Sequence, residues 1–208
     1  MKRILQGLGH DRLSVRVGYA YLCFFILLVL GYVLGLLFLP ERAMKTLPLP
    51  SLTLFEREQA FSSLVARTVV YNLFALLFIV GMNHIRVQRF TFGYLPLYAN
   101  TFLMGLFAGT NSFSGGISTY TLEGWMMFLR IGFLEFSAYI LVCAATVRLA
   151  MFHADRWRGE HFKKIRQLDE ARLSWQELVV ILVALGILIA AAFNEWKYAF
   201  RSLPFPKA

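Results

Sequence analysis

Val17-Gly-Tyr-Ala-Tyr-Leu-Cys-Phe-Phe-Ile-Leu-Leu-Val-Leu-Gly-Tyr-Val-Leu-Gly-Leu-Leu-Phe-Leu39 is an apolar run without a single charged residue. A helix needs about 20 such residues to cross the hydrocarbon core of a bilayer. The run exceeds the apolar stretch of a cleaved signal peptide and no small-residue cleavage site follows it, so it is expected to remain as a membrane anchor. The bilayer, rather than water, becomes the first candidate solvent for the rest of the chain.

Four further runs repeat the pattern at about Ser62–Met82, Thr91–Thr110, Met126–Met151 and Trp175–Trp196. The expected fold is all-α: a polytopic transmembrane helical bundle of about five spans forming a single domain over residues 1–208. His84 to Arg89 leaves room only for a tight turn, so the second and third helices should form an antiparallel hairpin. Asn111 to Gly124, rich in Gly, Ser and Thr, is expected as a re-entrant or interfacial loop. Thr53 followed by Glu56 fits a capping box at the entry to the second helix.

Of the 208 residues, 58% are hydrophobic and 16% charged, against the quarter or so of charged residues in an ordinary soluble domain. The formal charge of +9 invites comparison with nucleic-acid binders, but the cations sit in short segments between apolar runs rather than on one face. Anionic lipid is the better counterion, and no nucleic acid is expected. Cys23 and Cys143 lie inside apolar runs and the histidines lack ligand spacing, so neither a disulfide framework, a metal nor a cofactor is indicated.

Short loops rich in Lys and Arg stay on the cytoplasmic side. A cytoplasmic amino terminus and an external tail (N-in/C-out) give the inner segments a roughly two-to-one excess of these residues. The inner segment 153–173 is basic, with Trp157, His161, Ile165 and Leu168 at helical spacing. It reads either as an amphipathic helix on the headgroups or as a continuous extension of the fourth or fifth helix.

Polar side chains at depth are expensive in hydrocarbon and therefore informative. Asn72 and Asn100 fall near the middle of their runs, with Glu135 about 4.5 Å and Arg67 about 7.5 Å outward of theirs at helical rise. Matched depth predicts an intramembrane network in which Arg67 pairs with Glu135 while Asn72 and Asn100 satisfy the remaining bonds. It reads as a structural lock on helix register or as an ion, proton or water site. Arg130 and Glu195 form a candidate pair at the outer boundary. Gly31-x-x-x-Gly35 and Gly105-x-x-x-Gly109 provide small-residue faces where helices can approach closely, within the chain or between copies in a homo-oligomer.

At these residues the chain resembles the stage II sporulation protein M family of small polytopic membrane proteins. Tyr71–Gly81 is similar to the family's Asn-initiated helix ending in Gly. Asn100-Thr101-Phe102-Leu103-Met104-Gly105 is similar to its Asn-Gly-x-x-x-Gly element, with Thr101 in place of the first Gly. Gly132-Phe133-Leu134-Glu135-Phe136-Ser137-Ala138 resembles the Gly-x-x-Glu-x-x-Ala core of its fourth helix, with Arg130 and Ile131 where Pro-His is usual. Ala190 to Glu195 is similar to its terminal small-residue helix. The resemblance covers roughly Val69 to Glu195 and implies a non-enzymatic membrane scaffold, because the family's namesake holds two peptidoglycan-degrading partners.

No phosphate-binding Gly-rich loop and no nucleophile flanked by a base occurs. The leading expectation is therefore a non-catalytic subunit that anchors or organises a multiprotein assembly in a bacterial or archaeal cell (inner) membrane. Its partners would be other membrane or envelope proteins such as peptidoglycan hydrolases or an ATPase. The alternative is a transporter or permease subunit of an export complex with Glu135 lining the pathway. A lipid-modifying enzyme using the outer loop is a third reading, opposed by the lack of a His or Asp cluster.

Overall fold

The computed structural model describes residues 2–46, 61–113, 118–155, 162–167 and 170–202. Thr53, Glu56, Trp157, His161 and Leu168 lie outside the described residues. The chain is mostly helical, and four helices are long and apolar enough to cross a membrane: Leu13–Phe38, Val65–Met82, Leu122–Leu149 and Trp175–Lys197.

A short helix α1 (Lys2–Leu8) precedes α2 (Leu13–Phe38), and α3 (Phe61–Met82) follows. The expected third span is α4 (Tyr94–Gly109), only 16 residues, or about 24 Å at helical rise. That is shorter than a typical hydrocarbon core of about 30 Å. Its expected start is lost because Thr91 belongs to a strand.

The fourth apolar run is divided. Helix α5 (Leu122–Arg130) is capped by Thr121, whose hydroxyl accepts from the Gly124 N–H at 3.2 Å. At Ile131 the backbone turns to φ −120°, ψ −74°, and α6 (Gly132–Thr146) continues from there. The side chains of α6 from Phe136 to Ile140 and from Val142 to Thr146 are all buried, so this helix occupies the centre of the bundle. A helix apolar all round is expected at such a position. Helix α7 (Trp175–Ser202) packs beside it, and Ala184, Leu188, Ala191 and Ala192 face inward.

The expectation of an all-α fold is corrected at one end of the bundle. There β1 (Ile85–Val87), β2 (Phe90–Thr91), β3 (Phe152–Ala154) and β4 (Lys163–Lys164) form a sheet in the order β2-β1-β3-β4. The tight turn after α3 is a β-hairpin with Gln88 at φ 54°. The described residues of the basic segment after α6 hold no helix, and they pair back onto that hairpin through β3 and β4. Backbone satisfaction explains the choice. The His84 carbonyl accepts from the Met151 and Phe152 N–H groups at 2.9 Å each, and the Gln88 N–H donates to Ala154 at 2.9 Å. Ile165, expected on the apolar stripe of an amphipathic helix, instead follows β4, and its N–H donates to the Met151 carbonyl at 2.8 Å.

At the other end, the described part of the 111–124 loop is tied by its own polar groups. Asn111, at φ 50°, donates to Glu41 at 2.9 Å and accepts from the Thr119 backbone at 3.0 Å. The Thr119 hydroxyl donates to the Ala108 carbonyl at 2.7 Å, which closes the carbonyl end of α4.

Candidate functional site

Three helices bring polar side chains together in the part of the bundle away from the sheet. Asn72 on α3 donates from Nδ2 to Glu135 Oε1 on α6 at 2.9 Å, and its Oδ1 accepts the Tyr139 hydroxyl from the next turn of α6. One amide thus uses both ends to hold two side chains of one neighbouring helix. Glu195 on α7 is hydrogen-bonded by the Thr68 side chain and lies within electrostatic reach of Arg67, both on α3. Glu135 and Glu195 are close enough for their charges to act on each other.

The expected network is therefore rearranged. Arg67 acts electrostatically on Glu195, while the Glu135 carboxylate accepts from Asn72. The physical reason is local: an Asn at the same depth offers Glu135 a neutral donor, and the α7 carboxylate reaches the Arg67 level. Asn100 is exposed on α4 and stands outside this cluster. Its helix packs chiefly through another face, where Leu97, Thr101 and Gly105 are buried. The Arg130 carbonyl accepts from Asn194 Nδ2 on α7 at 2.8 Å, and Glu195 feels the Arg67 cation.

The small residues form a seam between α2 and α4. A Cβ on Gly31 would overlap the Phe102 carbonyl oxygen, and one on Gly105 would overlap that of Leu28. Gly35 has the same relation to Leu106 O at 2.9 Å, and Gly109 to Tyr32 O. Gly31 faces Gly105 and Gly35 faces Gly109, so the two helices run parallel. The four glycines serve packing within one chain, with backbone against backbone.

Two buried polar links went unread in the sequence. Arg16 Nη2 lies 2.6 Å from Glu177 Oε1, joining the starts of α2 and α7. The signal for Glu177 was present, since Ser174-Trp175-Gln176-Glu177 fits the capping-box pattern. Asn83 donates to the Cys143 carbonyl at 2.9 Å and to Thr146 Oγ1 at 2.7 Å, joining the ends of α3 and α6. Comparison with protein-family models, curated proteins and solved structures finds no match to this chain.

These links are chemically alike in one respect. Each connects two helices that are distant in sequence, through groups that would be costly to leave unpaired in hydrocarbon. Among the described residues, no three His, Cys, Asp or Glu side chains gather as a metal-ligand set.

Proposed function

We propose that this chain is an integral membrane subunit that anchors or organises a multiprotein assembly at the cell envelope and is non-catalytic by itself. The observation that carries this reading is the use of its buried polar groups. Glu135, Asn72 and Tyr139 bind one another, as do Arg16 and Glu177, so each set fixes helix against helix. Around that fixed interior, α2, α3 and α7 present exposed apolar faces, among them Phe25, Val29, Phe74, Leu77 and Leu182. Rigid helices with wide apolar faces suit lateral contact with lipid and with other membrane proteins. The resemblance of residues 69–195 to the stage II sporulation protein M family supports the same reading. Peptidoglycan hydrolases or an ATPase are the partner classes it suggests.

The proposed topology has five spans, with α4 as the third, in a bacterial or archaeal cell membrane. Successive long helices alternate in direction, since α2, α4 and α7 start at the sheet end, where α3 and α6 finish. The sheet end carries Arg86, Arg89, Arg148, Lys163, Lys164 and Arg166, which favours the cytoplasm for that end. Co-purification in mild detergent at native expression tests the function. A stable partner in stoichiometric amount is expected, and recovery of the chain without one overturns the proposal. Labelling of Gln88→Cys from the cytoplasmic side and Leu122→Cys from the outside tests the topology.

A second reading, a transporter or permease subunit, is favoured by one feature. Glu135 on α6 and Glu195 on α7 lie within electrostatic reach of each other, and Glu195 Oε2 is buried without a hydrogen-bond partner among the described residues. Loss of a transport activity in Glu135→Gln with assembly intact would select it.

A further inference from the structure

One register row crosses all four strands of the sheet. Thr91 lies beside Arg86, Arg86 beside His153, and His153 beside Lys163. Ladder partners project from the same face, so these four side chains share one side of the sheet. The neighbouring row of Phe90, Val87 and Ala154 is apolar and buried, and it covers the other side.

Three of the four residues carry a buried polar atom with no hydrogen-bond partner among the described residues: Thr91 Oγ1, Arg86 Nε and His153 Nδ1. Thr91 is wholly enclosed, at 0% exposure. Nearly all buried polar atoms in folded proteins are bonded. Three unbonded ones lie in adjacent positions of this one row.

Charge selects the chemistry of a group that would bond them. Burial, followed by the neighbouring cations Arg166 and Arg89, holds the Arg86 guanidinium below its ordinary value, with Asp11 acting in opposition. Arg166 is held by its Nη1 against the Arg148 carbonyl at 3.0 Å, which fixes a guanidinium here without neutralising it. Lys163 ends the row in solvent. His153 Nε2 contacts Asp155 at 3.1 Å, so Nδ1 is the ring nitrogen left for a ligand.

We propose that the Thr91–Arg86–His153–Lys163 row is a binding site for a phosphate oxyanion. Arg86 provides guanidinium donors, Thr91 a hydroxyl and Lys163 an ammonium. His153 Nδ1 donates when the ring is doubly protonated and accepts from a protonated phosphate when it is not. Multiple donors with excess positive charge match a tetrahedral anion with several acceptor oxygens. The phosphate can belong to a lipid headgroup or to a soluble phosphate. The headgroup source rests on the membrane reading above, because β1 begins three residues after α3 ends. The anion site itself does not.

The full chain in maltoside micelles, which carry no phosphate, separates the sources. Its thermal midpoint is followed while inorganic phosphate or short-chain phosphatidylglycerol is added at constant ionic strength. Wild type is stabilised by at least one. The apparent affinity falls about tenfold in Arg86→Gln and in Thr91→Val, the size expected for losing one charge-assisted bond. Lys197→Gln, which removes an exposed cation at the far end of α7, leaves it unchanged. A response to phosphate assigns a soluble ligand, and a response to phosphatidylglycerol alone assigns a headgroup. Should Arg86→Gln fail to fold, the exposed Lys163→Gln carries the same comparison. No response to either compound, or equal losses in the row variants and Lys197→Gln, overturns the site.

Discussion

Arg16 and Glu177 meet 2.6 Å apart, nitrogen to oxygen, with side-chain exposures of 1% and 2%. Glu177 Oε2 also accepts from the Ser174 backbone at 2.8 Å and the Ser174 hydroxyl at 2.9 Å, while that hydroxyl accepts from the Glu177 N–H at 3.3 Å. One carboxylate therefore closes the first turn of α7 and grips the first turn of α2. Burial makes the pair more valuable for holding geometry than for net stability, because removing both charges from water offsets most of their attraction.

Removal of one partner should expose that balance. Glu177→Ala strands the Arg16 charge and opens the cap together, and a loss of about 3–5 kcal/mol is expected. Arg16→Met leaves Glu177 its Ser174 bonds and should cost less. The double variant Arg16→Met/Glu177→Gln should recover much of the loss, because no buried charge remains. Thermal unfolding in mild detergent, followed by helicity, checks the order of the three. A double variant as unstable as the sum of the two changes would refute it.

Asn72 joins α3 to α6 through two side chains, and α3 is the least enclosed of the four long apolar helices. Its attachment should therefore depend on these bonds more than a central helix would. A double-mutant cycle between Asn72→Ala and Tyr139→Phe is expected to give a coupling of about 0.6–1.7 kcal/mol, the range for hydrogen bonds between membrane helices. Glu135→Gln keeps an acceptor oxygen for Asn72, so assembly should survive it. Zero coupling would mean that the Asn72–Tyr139 bond contributes nothing to holding α3.

The long helices were legible because hydrocarbon demands a continuous apolar run, and Val17–Leu39 satisfies that demand without reference to any other residue. The sheet was not, since Ile85–Val87 and Phe152–Ala154 are three residues each and become strands only by pairing across the intervening helices. Local spacing in residues 157–168 suggested a helix instead. The depth argument grouped Asn72 with Glu135, which are hydrogen-bonded, but also Asn100, which is exposed on α4 outside the cluster. Residues 67 and 135 match in depth, yet rotation about each helix axis decides contact, and sequence alone leaves that angle open. Arg16 stands one residue before the apolar run, where a cation that flanks a span and one that is buried against another helix have the same local sequence.

Asn83 is wholly buried, and Gly93 lies directly against it. A Cβ on Gly93 would overlap Asn83 Oδ1 and come within 2.6 Å of the Ile79 carbonyl oxygen. Asn83→Ala leaves Thr146 Oγ1 and the Cys143 carbonyl without this donor, and a loss of about 1–3 kcal/mol is expected. Gly93→Ala should cost a similar amount by pushing the amide aside. Because both changes act on one contact, their combination should fall short of the sum. Unfolding midpoints of the two single variants and the double variant decide this, and strict additivity would show that the two positions act separately.

The parallel seam of α2 and α4 makes a sharper distinction among glycines. At Gly31 and Gly105 an added methyl meets a backbone carbonyl of the other helix, which cannot move without parting the pair. Gly31→Ala and Gly105→Ala should each cost about 1–3 kcal/mol, the range for forcing extra volume into a packed interface. Gly186, inside α7, has open space where a Cβ would lie. There Gly→Ala removes only the conformational penalty of glycine in a helix, so Gly186→Ala should be neutral or stabilising by up to about 1 kcal/mol. Side-by-side unfolding of the three variants in one detergent tests the contrast. Equal behaviour would mean that close approach at the seam contributes nothing, and the shared x-x-x spacing of Gly31, Gly35, Gly105 and Gly109 would then lack a packing role.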